Sequence, residues 1–107
     1  MQLGRFRELI TRLETLRPRA REAVELIARS VMDATDYLAQ AWILQFDDVL
    51  RSGQPEDAEE VKDFLDATLS ITEEQGDDRM SGVVKFWRKM LDPFLPPEAG
   101  EVRETGR

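Results

Sequence analysis

The chain has 107 residues and a mass of 12.3 kDa, with 41% apolar residues, 35% charged residues and a formal net charge of −7. That is the size of one domain with one core, too small to add a deep, separately walled active site. Cysteine and histidine are both absent, which excludes disulfides and thiolate chemistry, removes the commonest general base and metal ligand, and leaves carboxylates as the only hard-metal or acid–base groups.

In chain order, Leu3, Phe6, Leu9, Ile10, Leu13 and Leu16 follow the three-and-four spacing of an amphipathic helix. Pro18 ends this run, since it disfavours helical geometry at Arg17 and suits the first turn of a following helix. From Pro18 to Arg51 there is no internal Gly or Pro. Apolar residues from Ala20 to Val49 stay on one stripe there, with only Thr35 and Gln45 as polar intruders. The periodicity predicts one long spine helix, about 50 Å if straight at roughly 1.5 Å per residue, or the same helix kinked near Ser30 to Asp36, where intrinsic propensity is weakest.

Ser52-Gly53-Gln54-Pro55 is the clearest punctuation in the sequence. Its Gly is placed for a left-handed helix end and its Pro for a new helix start. Glu56, Asp57, Glu59 and Glu60 complement the positive end of that helix, and Ala58, Val61, Phe64, Leu65, Thr68 and Leu69 carry its apolar stripe to about Glu74. Gly76-Asp77-Asp78 breaks the pattern. A last helix over Met80 to Leu91 has Ser81 or Asp78 as expected cap, and Asp92-Pro93 ends it. Residues 96–107 are expected to be a flexible tail behind a single helical domain of residues 1–95. The fold class is all-α: an antiparallel bundle of about four helices around the spine, at least about two-thirds helical and without a sheet.

The longest purely apolar run, Ala41-Trp42-Ile43-Leu44, is too short to span a bilayer. The Met1 end lacks the apolar core of a signal peptide, so a soluble, cytoplasmic protein without a cofactor is expected. Charge is blocked: residues 1–30 carry +3, residues 31–78 carry −12 and residues 79–107 carry +2. The opposite signs favour helix pairing, within one molecule or between copies. The overall acidity argues against nucleic-acid binding despite the arginines between Arg5 and Arg21. The acidic block from Asp47 to Asp78 could instead mimic a nucleic acid in a basic cleft, or serve solubility alone.

Three constellations bear on function. On the spine stripe, Val24, Ile27, Val31, Leu38 and Trp42 between small alanines form an expected homodimer surface. On the last helix and the residues after it, Phe86, Trp87, Arg88, Lys89, Met90, Phe94 and Leu95 combine apolar and basic groups suited to an acidic protein partner, or to closing the bundle core. Phe86 and Trp87, adjacent on a helix, cannot share one inward direction. Glu22 with Glu25, and Glu60 with Asp63, place carboxylates three residues apart on helices, as oxygen ligands for Mg²⁺ would need. This pattern resembles the ExxE and ExxD motifs of the all-α nucleotide pyrophosphohydrolases of the MazG type. The resemblance, carried by eight residues, implies Mg²⁺ at these four carboxylates and hydrolysis of a nucleoside triphosphate. Read from the residues alone, they are solvated side chains opposite the apolar stripes. No serine has a His partner, so a nucleophilic triad is absent. The expected function is a small non-enzymatic interaction protein, an adaptor, assembly factor or accessory subunit, with the Mg²⁺-dependent hydrolase as alternative.

Overall fold

The computed structural model describes residues 3–32 and 40–95, with side chains from Arg7 onward. Helix makes up 89% of these residues and none form a strand. The five helices are α1 (Leu3–Thr15), α2 (Pro18–Met32), α3 (Gln40–Arg51), α4 (Pro55–Glu74) and α5 (Asp78–Leu91), with a closing 3₁₀ turn at Asp92–Phe94. The breaks at Arg17-Pro18, Gly53 and Gly76 fall where the punctuation predicts.

The expected spine is two helices. Helices α2 and α3 pack side by side, which collinear halves of one helix could not do. They run antiparallel: a Cβ added at Gly53, just past the end of α3, would lie 3.3 Å from the Cβ of Arg19 in the first turn of α2. The physical reason is area. Folding the stripe onto itself lets its two halves cover one another and removes apolar surface from water at about 25 cal/mol per Å². Ala20, Ala23, Val24, Leu26 and Ile27 of α2 and Phe46, Val49 and Leu50 of α3 are buried in this way.

Helices α4 and α5 form a second antiparallel hairpin. Asp66 meets Arg88 at 3.3 Å, Glu73 meets Lys85 at 3.5 Å, and the hydroxyls of Thr72 and Ser81 lie 2.8 Å apart in the interior. The turn uses Gly76 at φ 73°, a left-handed conformation that a side chain would resist. Asp77 caps α5, its carboxylate accepting from the Met80 N–H at 3.0 Å. The expected caps, Ser81 and Asp78, both lie inside the helix. Ser81 is turned inward to Thr72 instead.

Trp87 is the hub of the core. Fully buried, it lies 5.0 Å from the Phe46 ring and 5.2 Å, edge to face, from the Phe86 ring. Among the described residues its indole N–H has no hydrogen-bond acceptor, an omission that costs about 1–3 kcal/mol for a buried donor. No described helix is long and apolar enough to cross a membrane. The expected tail at residues 96–107 lies outside the described residues.

Candidate functional site

On α5, the structure separates the neighbours Phe86 and Trp87 as helical geometry requires: Trp87 points into the core and Phe86 is half-buried. Met90, Phe94 and Leu95 are also half-buried and pack on the rim of the core. Arg88 is tied between Asp66 and Asp92, at 3.3 and 2.7 Å. Lys85 pairs with Glu73. Arg79 and Lys89 are exposed and have no ion pair among the described residues. The Arg51 guanidinium sits 5.6 Å above the Phe94 ring, so the 3₁₀ turn is fastened to the end of α3 by a cation–π contact. Hence one face of α5 joins partly exposed apolar side chains to uncommitted positive charge. Trp87 supports that face from behind and is no part of its surface.

Of the expected homodimer residues, Val24 and Ile27 are buried by the chain's own helices, while Val31 and Trp42 are half-buried against the core. Leu38 lies outside the described residues. Among the described residues the large apolar side chains that do face solvent are others: Met32, 81% exposed, Ile10 at 57% and Leu44 at 55%. A signal for Leu44 was present in the sequence. Residues 37–46 are ten in a row without a charge, in a chain where about one residue in three is charged.

The four carboxylates of the hydrolase resemblance are not gathered. Glu22 pairs with Arg19 at 2.8 Å and Glu25 with Arg21 at 3.3 Å, both along α2. Glu60 and Asp63 line a shallow cleft of about 180 Å³ between α1 and α4, together with Arg12, Thr15, Leu16 and Phe64. Neither Glu22 nor Glu25 reaches that cleft. Among the described residues no three carboxylates stand close enough to hold a metal ion.

The most strongly organised polar group is one that spacing alone did not single out. Asp57 is 3% exposed, and its carboxylate accepts from the Gln54 N–H at 2.6 Å and from Arg17 Nε at 2.8 Å. Glu60 takes the Arg17 backbone N–H at 2.7 Å. The α1–α2 corner is thereby clamped to the start of α4. Hydrogen bonding to Asp57, and then its negative charge, raise the Arg17 pKa above its already high ordinary value, so this cation is permanent. Gly53 belongs to the clamp: a Cβ there would come within 2.6 Å of Asp57 Oδ2. The expected left-handed role of Gly53 is not the one observed, since among the described glycines only Gly76 has a positive φ. Close approach, not backbone handedness, requires glycine at this position.

No protein-family model, curated protein or solved structure is significantly similar to this chain.

Proposed function

We propose that the protein is a small non-enzymatic interaction module that engages an acidic protein partner through α5 and the turn after it. The observation that carries this reading is the face on which Phe86, Met90, Phe94 and Leu95 lie half-open beside the cations Arg79 and Lys89, exposed and without an ion pair among the described residues. Partly exposed aromatic and Met side chains with a polar rim are the anatomy of interface cores. A positive rim on a chain of net charge −7 selects an acidic partner and steers its approach. The carboxylates, by contrast, are spent on ion pairs and hydrogen bonds along or between helices, or lie dispersed, which favours a binding role over a catalytic one.

The test is affinity capture from the native cell with tagged wild type, with a Lys89→Glu, Arg79→Glu double variant and with Met90→Ala. An acidic protein held by the wild type and lost by the folded double variant supports the reading. Retention of every wild-type partner by both folded variants defeats it.

A further inference from the structure

We infer that α1 is a strap that undocks as one unit while α2 to α5 stay folded, opening the wall of α4 that carries Phe64 and Asp63. This inference stands on α1 and α4 and does not rest on the α5 reading.

The core is built without α1. Among the described residues every buried apolar side chain belongs to α2, α3, α4 or α5. In α1 itself Leu9 and Leu13 are only half-buried, and Ile10 is 57% exposed. Leu13, with Leu16 just past the helix end, rests on the rim of the core and not inside it. Apolar stabilisation scales with the area removed from water, so α1 is the helix that the core holds least.

The surfaces that α1 and α4 turn to each other also fail to close. Between them lies the cleft of about 180 Å³, with Arg12, Thr15 and Leu16 on one side and Glu60, Asp63 and Phe64 on the other. Arg12 shares that cleft with two carboxylates, yet it makes no ion pair among the described residues. The contacts that fasten the corner, Arg17 Nε to Asp57 and the Arg17 N–H to Glu60, lie beyond the last residue of α1. Pro18 has no N–H to donate back into α1. The corner therefore works as a hinge: α1 can leave while the clamp stays shut and α2 keeps its backbone hydrogen bonds. A helix of 13 residues is marginal by itself in water, so undocking and unwinding are one event. Regions with few buried apolar contacts are the ones that open locally at a fraction of the global unfolding free energy.

Hydrogen exchange of the full chain, resolved by residue in NMR spectra under conditions where reclosing outpaces exchange, tests the inference. The amides of α1 from Arg7 to Thr15 are expected to share one protection factor, at least about a hundredfold below those at the centres of α4 and α5. Leu13→Ala, which removes a contact made only in the docked state, is expected to lower protection in α1 by about tenfold. Phe46→Leu removes packing on Trp87 that docked and undocked states share. It is expected to lower protection at the centres of α4 and α5 by about tenfold and to leave α1 unchanged. Protection in α1 equal to that of α4 and α5 in the wild type overturns the inference, and this measurement needs no variant to fold. So does protection that climbs steadily from Arg7 to Thr15, which is fraying of a chain end. A fall in α1 matching that of α4 and α5 in folded Phe46→Leu also overturns it, because α1 would then open only with the whole molecule.

Discussion

The two ends of the α2–α3 pair treat polarity in opposite ways. Where α2 begins and α3 ends, the chain buries a carboxylate, Asp57, and meets it with Arg17 Nε and the Gln54 N–H. Where α2 ends and α3 begins, it exposes the apolar side chains of Met32 and Leu44. A buried charge is tolerated only when surrounding groups are held at fixed distances, so the first end must be rigid and is completed within one chain. Exposed apolar area makes no such demand. It costs little where it stands and needs no partner held at a fixed distance.

Breaking the clamp should have the largest effect on stability. Asp57→Ala removes the acceptor of the Gln54 N–H and the buried partner of Arg17, and is expected to lower unfolding free energy by about 2–3 kcal/mol in urea titration. A loss below about 0.5 kcal/mol would show that the corner holds without it. Next comes Gly53→Ala, expected to cost about 1–3 kcal/mol because the new methyl meets Asp57 Oδ2. Its cost should shrink in the Asp57→Ala background, since the two residues share one contact. Additive losses would break the link between them.

At the α4–α5 turn, Thr72→Val leaves the Ser81 hydroxyl without its buried partner and should cost about 1–2 kcal/mol. The Thr72→Val, Ser81→Ala double variant should cost little more than the single, because no orphaned hydroxyl then remains. Gly82→Ala should act in the opposite direction. A Cβ there meets nothing within 4 Å, so the helix gains about 0.5–1 kcal/mol, read as a higher Tm. A fall in Tm would mean that the site is less open than its geometry indicates. The smallest effect belongs to the second end: Leu44→Glu should change stability by less than about 0.5 kcal/mol. A larger loss would make Leu44 part of the monomer core and erase the contrast between the two ends.

Much of this architecture is local in origin. Pro18, the Gly53-Gln54-Pro55 stretch and Gly76 act on the backbone within a few residues of themselves, so the ends of α1, α4 and α5 were legible from the chain alone within about two residues. The all-helical class follows equally from three-and-four periodicity, a property of neighbours in sequence. The α5 surface was readable in part, because adjacent aromatics cannot both point inward. Which of them does so was not readable, since Phe86 and Trp87 belong to the same amphipathic pattern and only the position of Phe46 in α3 selects Trp87.

Tertiary structure decided the rest, and for a common reason. A stripe of apolar residues records that it will be buried but not what will bury it. The stripe from Ala20 to Val49 has the same period whether it meets a second copy as one long helix or folds onto itself as α2 and α3. The burial of Val24 and Ile27 inside one chain records the second outcome, and it moves the exposed apolar surface to Met32 and Leu44. Asp57 likewise reads as one more acid in a helix first turn. Its role emerges only when the α1–α2 corner, 40 residues away in sequence, brings Arg17 against it. Helix ends are set by interactions over one turn, which the sequence displays directly, whereas helix pairing is set by contacts across the whole chain, which periodicity leaves degenerate.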